Sequence, residues 1–183
     1  MKIGIYGGSF NPIHNGHLML ANFAKHELGL DKIIFVPSNI TPNKKTVNID
    51  SSFRVNMIWL AINERVVELA FADGISCVET NRRGVSYTID TVKELKEHYP
   101  DDELFLICGS DVKHSIHTWK DYHELKTLIN IKIQDVDFWA PAMQVRSTQV
   151  RMLLNHNKPI SYLVPKSVEK FIDQHKLYQG ENN

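Results

Sequence analysis

The segment from Lys2 to Leu20 places the strongest restriction on how this chain can fold. It begins with apolar residues typical of a buried parallel strand, and this run breaks at Gly7 and Gly8. Ser9-Phe10-Asn11-Pro12 then turns the chain toward a helical segment that carries His14 and His17. A strand, a glycine turn and a helix start, in this order, predict the first unit of an α/β fold with a parallel sheet.

The same residues indicate phosphate binding. Gly7 and Gly8 have no Cβ atom, so their backbone N–H groups can approach an anion, and the positive end of the next helix adds to the attraction. His14 and His17 lie three positions apart, about one helical turn, so both imidazoles can donate N–H groups to one ligand. Glycine turns and paired surface or metal-binding histidines are common separately. Their combination is more specific and predicts a phosphate cradle.

Composition limits the other classes of function. The chain has 183 residues, enough for one substantial core, and its 21 basic and 21 acidic residues give a formal net charge of zero. Phosphate recognition is therefore expected to be local, and binding to nucleic acid is not expected. We find no signal peptide or long apolar span, and Cys77 and Cys108 have the apolar surroundings of reduced thiols. These features predict a cytoplasmic protein that does not bind membranes.

Apolar runs alternate with amphipathic segments along the rest of the chain. Further strands are predicted at 32–37, 75–79, 103–108 and 131–136. Helices are predicted at 18–28, 51–69 and 89–98, around 125–128, from 147, and from 165. The first strand, helix and strand make one βαβ unit, and ligands of such units bind at the carboxyl ends of the strands.

The second helix carries three local expectations. Ser51 or Ser52 is expected to cap its N-terminus, and Trp59 is expected in the core. Arg54 lies in the first turn, where the helix dipole disfavours a cation, so we expect it to have a local partner. The segment 37–45 before this helix is rich in proline and asparagine and is predicted to be a loop. Lys44 or Lys45 in this loop either reaches a substrate phosphate or is solvated, and the sequence favours neither interpretation.

Two positions in the second half carry groups suited to a nucleotide. Gly109 and Asp111 directly follow the strand at 103–108, where α/β folds contact ribose or metal, although this tripeptide also suits simple helix capping. Trp119 offers an indole face for stacking on an electron-poor ring, and packing in the core is the equal alternative.

A second anion site is indicated near residue 147. Ser147 and Thr148 begin a helix, and Arg151 reaches the same point from the next turn with its guanidinium group. A helix capped by hydroxyl groups with an exposed arginine is the alternative, and it is favoured when this segment is considered alone.

The stretch Gly7 to His17, GGSFNPIHNGH, resembles the signature of the nucleotidyltransferase superfamily marked by a His-x-Gly-His motif and, within it, the bacterial nicotinate-nucleotide adenylyltransferases. The resemblance covers most of the chain, since 86–91 is similar to the family's Ser-Tyr-Thr-x-Asp-Thr and 145–151 to its Ile-Ser-Ser-Thr-x-Ile-Arg. It implies a Rossmann-like α/β fold, a doubly wound parallel sheet with a small C-terminal helical subdomain. It also implies a single nucleotidyltransferase domain over residues 1–183, with the phosphate motif and last helices from about residue 145.

The resemblance implies transfer of AMP from ATP to nicotinate mononucleotide, with Mg²⁺ and release of pyrophosphate. It assigns His14 and His17 as catalytic residues. It assigns ATP binding to Gly7, Gly8, Ser9, Phe10, His14, His17, Gly109, Asp111, Ser147, Thr148 and Arg151, and acceptor binding to Asn11, Lys44, Tyr87, Thr88 and Trp119. Magnesium is expected on phosphate oxygens and water, so no residue is expected as a metal ligand.

The chain departs from the family pattern at three places. Asn43 stands where the family has histidine before the lysine, Arg146 replaces the first serine of the last motif, and the connection after Ile129 is short. These departures support an alternative from another class, a non-catalytic nucleotide-binding protein of the same fold. A different acceptor, nicotinamide mononucleotide or phosphopantetheine, also stays open, as does another cytidylyltransferase or adenylyltransferase activity. Assembly into a homo-oligomer is also left open.

Overall fold

A parallel sheet forms the centre of the molecule. The computed structural model describes residues 1–42, 49–64, 74–82, 84–134 and 145–179. Within these ranges there are four parallel strands: β1 (Lys2–Gly8), β2 (Lys32–Pro37), β3 (Glu103–Gly109) and β4 (Asn130–Gln134). Their order is β2-β1-β3-β4, so β2 pairs with one edge of β1 and β3 pairs with the other edge. This reversal opens a crevice beyond the carboxyl ends of β1 and β3, which is the usual ligand position in open α/β sheets.

Helices cover both faces of this sheet. They are α1 (Asn15–Leu28), α2 (Ser51–Asn63), α3 (Val78–Asn81), α4 (Thr88–His98), α5 (Tyr122–Leu128), α6 (Ser147–Asn155) and α7 (Lys166–Gln174). One core cluster joins the sheet to α1, α2, α6 and α7, and a second joins it to α4 and α5. Alternate strand residues supply the two clusters, for example Tyr6 and Ile107 to the first and Ile5 and Leu106 to the second. The predicted Rossmann-like, doubly wound α/β fold is confirmed.

The predicted strand at 75–79 is wrong. Only Ile75 pairs with the sheet, through a single bridge to Phe35 of β2, and the chain then forms the short helix α3. Glu79 of this helix is buried, and its carboxylate accepts a hydrogen bond from Thr91 of α4. Tertiary contacts of this kind, here across 12 residues, can override a local strand preference.

Two expectations for α2 are also wrong. Its N-cap is Asp50, whose carboxylate accepts a hydrogen bond from the backbone N–H of Ser52 at 2.8 Å. Trp59 is 57% exposed, because Met57, Ile58 and Ala61 occupy the buried face of the helix. The predicted continuation of this helix beyond residue 64 lies outside the described residues, as does the predicted end of the strand at 131–136.

The prediction of reduced core thiols is confirmed for Cys108, while Cys77 is a free thiol outside the two core clusters. Cys77 and Cys108 are both free thiols, and Cys108 is buried in the second core cluster while Cys77 is half-buried. In the described part of the chain, no helix combines the length and apolar character needed to cross a membrane.

Candidate active site

The loop Ser9–Pro12 leaves the carboxyl end of β1 and leads to α1. Phe10 has a left-handed backbone with φ 44°, which is unfavourable for a bulky residue. Its fully buried ring makes edge contacts with Tyr6, Phe35 and His17, at centroid distances of 5.4, 5.6 and 5.0 Å. The ring therefore anchors the loop in the core and packs against the imidazole of His17. Any contact of Phe10 with ATP would come from its backbone rather than its ring.

The two glycines before this loop have different surroundings. A Cβ atom added to Gly8 would lie 3.0 Å from the Phe10 ring, so the close packing of that ring depends on Gly8. A Cβ atom added to Gly7 would meet no heavy atom within 4 Å. Gly7 thus borders open space at the end of β1, as the predicted approach of a phosphate requires.

His14 and His17 cap the start of α1 by bonding to each other's backbone. The backbone N–H of His17 donates to Nδ1 of His14 at 3.3 Å, and that of His14 donates to Nδ1 of His17 at 3.2 Å. The two rings are stacked, with centroids 3.6 Å apart and an interplanar angle of 21°. This is a capping box in which imidazoles replace the usual hydroxyl and carboxyl groups.

The reciprocal cap selects one tautomer of each ring. A nitrogen that accepts a hydrogen bond carries no proton, so the proton of each neutral imidazole is on Nε2. His14 is 5% exposed, and this burial lowers the pKa of its imidazole from 6.5 to about 3. His14 is therefore a neutral Nε2–H donor at physiological pH, which suits hydrogen bonding to a phosphate oxygen without a permanent charge.

Side chains from distant segments hold the Ser9–Pro12 loop in place. Arg54 of α2 is 5% exposed, and its Nη1 donates to the carbonyl oxygen of Ser9 at 2.8 Å. The expected local partner of Arg54 is therefore confirmed. Tyr178 donates its hydroxyl proton to Oδ1 of Asn11 at 2.7 Å.

The predicted anion motif at the start of α6 bonds to the same loop. Ser147 Oγ donates to the carbonyl oxygen of Pro12 at 2.9 Å, and Arg151 Nη1 donates to that of Asn11 at 2.6 Å. Arg151 Nη2 also lies 3.4 Å from the hydroxyl oxygen of the exposed Thr148. The structure thus brings the two predicted phosphate motifs together, although they are separated by more than 130 residues in the sequence.

Gly109 and Asp111 lie at the carboxyl end of β3, next to the end of β1. A Cβ atom on Gly109 would come within 2.8 Å of an Asp111 carboxylate oxygen, so the glycine makes room for this side chain. Burial, together with the Asp111 charge, raises the pKa of the Cys108 thiol to about 12. The same two causes raise the pKa of the Tyr6 hydroxyl. The exposed Asp111 side chain therefore lies close to Cys108 of β3 and to Tyr6 of β1.

The residues predicted for the acceptor lie around the start of α4. Tyr87 is its N-cap residue, Thr88 is its first residue, and both Tyr87 and Trp119 are half-buried. The ammonium group of Lys120 lies 4.7 Å from the Tyr87 ring centre and 3.4 Å from the Asp90 carboxylate. This contact brings the segment that carries Trp119 to the start of α4. Lys44 lies outside the described residues.

A network of hydrogen bonds joins the first turn of α4 to α3. Thr91 Oγ1 donates to Oε1 of Glu79 at 2.6 Å and accepts from Arg82 Nη2 at 2.8 Å. Burial raises the pKa of the Glu79 carboxyl, while hydrogen bonds from Thr91 and Ser86 oppose this shift. The Ser86 hydroxyl oxygen in turn accepts a hydrogen bond at 2.9 Å from the backbone N–H of Asn39, beyond β2. Glu79 was not assigned to the site from the sequence.

A cavity of about 290 Å³ lies between the Ser9–Pro12 loop, the segment after β2 and the start of α2. Ser9, Asn11 and Arg54 line it on one side, and Ser38 to Thr41 line it on another. Its volume suits part of a nucleotide rather than a whole dinucleotide. Within the described ranges, no group of three or more His, Cys, Asp or Glu side chains is placed to hold a metal ion.

Comparison with known proteins gives concordant results. The sequence model of the cytidylyltransferase-like family matches residues 5–153. The nicotinate-nucleotide adenylyltransferase of Bacillus subtilis (strain 168) is 38% identical over 192 residues, covering 98% of this chain and 99% of that protein.

Two solved structures of Plasmodium falciparum nicotinic acid mononucleotide adenylyltransferase are also similar. The complex with NaAD has a TM-score of 0.79 at 20% identity and covers 97% of both chains. The complex with APC has a TM-score of 0.75 at 19% identity and covers 97% of this chain and 96% of the other. At these identities the structural match concerns the fold alone.

Proposed function

The chain belongs to the cytidylyltransferase-like family and, within it, to the nicotinate-nucleotide adenylyltransferases, and we propose that its reaction takes place at the carboxyl ends of β1 and β3. The enzyme transfers AMP from ATP to nicotinate mononucleotide and gives nicotinate adenine dinucleotide and pyrophosphate, a step of NAD biosynthesis. The reciprocal cap of His14 and His17 supports this location best, because it sets two Nε2–H donors beside a glycine turn at the reversal of strand order.

The reaction is a single in-line displacement. An oxygen of the acceptor phosphate forms a bond to the α-phosphorus of ATP, while the bond from this phosphorus to the oxygen bridging to the β-phosphate breaks. Pyrophosphate leaves with the electron pair. The acceptor phosphate is already ionised at neutral pH, so the step needs no strong general base. Catalysis then depends on positioning and on neutralising phosphate charge.

The ATP side of the site is formed by three segments. His14 and His17 donate Nε2–H groups to the ATP phosphates and to the oxygens on the reacting phosphorus. Gly7, Gly8, Ser9 and Phe10 approach the nucleotide through their backbone, and Gly109 and Asp111 contact it at the end of β3. Ser147, Thr148 and Arg151 bind the β- and γ-phosphates, supported by their position against the Ser9–Pro12 loop.

The acceptor side lies around the start of α4. Tyr87 and Thr88 bind the pyridine carboxylate, supported by their place at a helix N-terminus. Trp119 stacks on the nicotinate ring. Asn11 lines the cavity beside the loop, and Lys44 is assigned to the acceptor phosphate.

Nucleotidyltransferases of this family generally use a divalent metal, and we assign Mg²⁺ to this enzyme. Asp111 is the one carboxylate among the site residues proposed above, so phosphate oxygens and water would supply most of the ligands. When bound, the ion would offset negative charge on the phosphates.

The organisation of the protein completes the proposal. We propose one nucleotidyltransferase domain over residues 1–183, in which the segment from about residue 145 supplies the second phosphate motif. The free thiols of Cys77 and Cys108 favour a cytoplasmic setting.

The direct test measures pyrophosphate release with ATP and magnesium for three acceptors: nicotinate mononucleotide, nicotinamide mononucleotide and phosphopantetheine. Selective turnover of the nicotinate compound is expected. Turnover of another acceptor would keep the chemistry and change the substrate. ATP binding without turnover of any acceptor would instead favour a non-catalytic nucleotide-binding protein.

A further inference from the structure

We propose that Tyr178 is a positioning residue for the reaction: its hydroxyl fixes the Asn11 side chain and, with it, the acceptor side of the Ser9–Pro12 loop. This inference rests on the proposed function, because it assigns Tyr178 an effect on the binding of nicotinate mononucleotide. The residue lies just beyond α7, outside every motif identified in the sequence.

The geometry of this contact is specific. Tyr178 is 4% exposed and Asn11 is 5% exposed, and the hydroxyl of Tyr178 lies 2.7 Å from Oδ1 of Asn11. The backbone of Tyr178 is left-handed, with φ 62°, a conformation that non-glycine residues adopt at a cost. Phenylalanine would fill the same buried space, so the specific contribution of the tyrosine is its hydrogen bond.

That hydrogen bond determines which way the Asn11 amide is turned. A carboxamide has one acceptor end and one donor end. A tyrosine hydroxyl that donates to Oδ1 makes Nδ2 the donor end presented away from Tyr178. Since Asn11 also lines the cavity with Ser9 and Arg54, a correctly turned amide adds N–H groups for an anionic acceptor.

Tyr178 acts on the same loop as Arg54. Arg54 Nη1 donates to the Ser9 carbonyl oxygen at 2.8 Å, as Tyr178 donates to the Asn11 side chain at 2.7 Å. The loop is therefore fixed at Ser9 from α2 and at Asn11 from the segment after α7. Loss of the tyrosine hydroxyl removes the attachment of the Asn11 side chain and leaves the backbone attachments from Arg54, Ser147 and Arg151 intact.

The test is a double-mutant cycle with Tyr178→Phe and Asn11→Ala, assayed by steady-state kinetics. For Tyr178→Phe we expect kcat/KM for nicotinate mononucleotide to fall about tenfold, the effect of one hydrogen bond, with little change in KM for ATP. In the Asn11→Ala background the same replacement is expected to have no further effect, because the residue through which Tyr178 acts is gone. Tyr99→Phe, a half-buried tyrosine packed against the second core cluster, is the control and should match the wild type.

The outcomes separate the two proposals. If the wild type does not turn over nicotinate mononucleotide, the proposed function fails. If the wild type is active and Tyr178→Phe is equally active, or loses the same factor in both backgrounds, Tyr178 is only a structural residue and the inference is overturned.

Asn11→Asp provides a second test that does not alter Tyr178. The carboxylate keeps an acceptor for the Tyr178 hydroxyl but replaces the Nδ2 donor by an anionic oxygen. Normal folding with a large rise in KM for the acceptor is expected. An unchanged KM would contradict the inference even if Tyr178→Phe proves too unstable to assay.

Discussion

His14 and His17 each donate a backbone N–H group to the Nδ1 atom of the other's ring, at 3.2 and 3.3 Å. The pair thus performs two tasks with different atoms. Each Nδ1 completes the start of α1, and each Nε2–H is the donor assigned to substrate phosphates. Structure and chemistry can therefore be separated by replacements that keep one nitrogen's role and remove the other's.

Replacement of His17 by alanine is expected to reduce turnover far more than stability. Loss of one donor to the reacting phosphate should lower kcat by ~10²–10³-fold, while loss of a cap should cost ~1 kcal/mol in the free energy of unfolding. Steady-state kinetics and urea unfolding measure the two effects. His26→Ala, at an exposed position on the same helix, is the control and should keep full activity. A folded His17→Ala variant with normal kcat would remove His17 from the mechanism.

Replacement of His14 by asparagine is expected to preserve the fold and abolish most activity. Asparagine is among the best N-cap residues, and its Oδ1 can accept the His17 N–H in place of Nδ1. It offers no donor at the position of Nε2, so kcat should fall by at least ~10²-fold. His14→Ala removes both roles and should also lower the melting temperature. Equal stability of the two variants would show that the cap at His14 is unimportant.

Acidification is expected to destabilise the protein through His14. Burial lowers the pKa of its imidazole from 6.5 to about 3, so below pH 6.5 the unfolded chain binds a proton that the folded chain does not. The stability from this group is complete above pH 6.5 and falls toward pH 3, by at most ~1.4 kcal/mol per pH unit. Urea unfolding at pH 7 and pH 5 should show a smaller loss for His14→Asn than for the wild type. Parallel losses would assign the pH dependence to other groups.

Alanine replacements at Gly7 and Gly8 should have opposite consequences. At Gly7 a methyl group meets no heavy atom within 4 Å, so the fold should be unaffected while the methyl group obstructs ATP and raises its KM. At Gly8 the methyl group would press on the Phe10 ring at 3.0 Å, so we expect a loss of ~1–3 kcal/mol in stability. Thermal unfolding and the KM for ATP distinguish the two effects. Full activity of Gly7→Ala would place the nucleotide elsewhere.

Replacement of Thr91 by valine is expected to destabilise the protein and to weaken acceptor binding. Thr91 is 2% exposed, and its hydroxyl donates to the buried Glu79 carboxylate. Its loss removes a donor from that carboxylate, at a cost of ~1–3 kcal/mol. Because this network lies behind Tyr87 and Thr88, KM for nicotinate mononucleotide should rise and KM for ATP should not. Thr127→Val, an exposed threonine on α5, is the matched control. Equal effects of the two replacements would exclude a specific role for the network.

The strands could be predicted from the sequence because burial on both faces leaves continuous apolar runs, as in Ile33–Val36 and Leu104–Cys108. The histidine cap could be located because its groups are neighbours in sequence. The prediction of a buried Trp59 is wrong because this residue follows two apolar residues, Met57 and Ile58, and the composition of the helix does not reveal which of the three faces solvent.

Contacts between residues far apart in the sequence cannot be predicted from the pattern around either residue. Glu79 of α3 accepts a hydrogen bond from Thr91, 12 positions away, and a sequence pattern cannot show that pairing. The bond from Tyr178 to Asn11 spans 167 positions, and nothing near either residue indicates it. The sequence likewise does not show which group Arg151 binds, since its guanidinium group can donate to a carbonyl oxygen of the loop as well as to a phosphate.

The attachments of the Ser9–Pro12 loop also bear on the order in which the protein matures during its synthesis. The loop precedes its partners Ser147, Arg151 and Tyr178 by 135 to 167 positions in the sequence, so it is made well before them. Contacts so distant in sequence form slowly, because a long stretch of chain must first be ordered. A partly synthesised chain can therefore contain the paired histidines and still lack a working site. A complete site requires that these distant segments have met the loop.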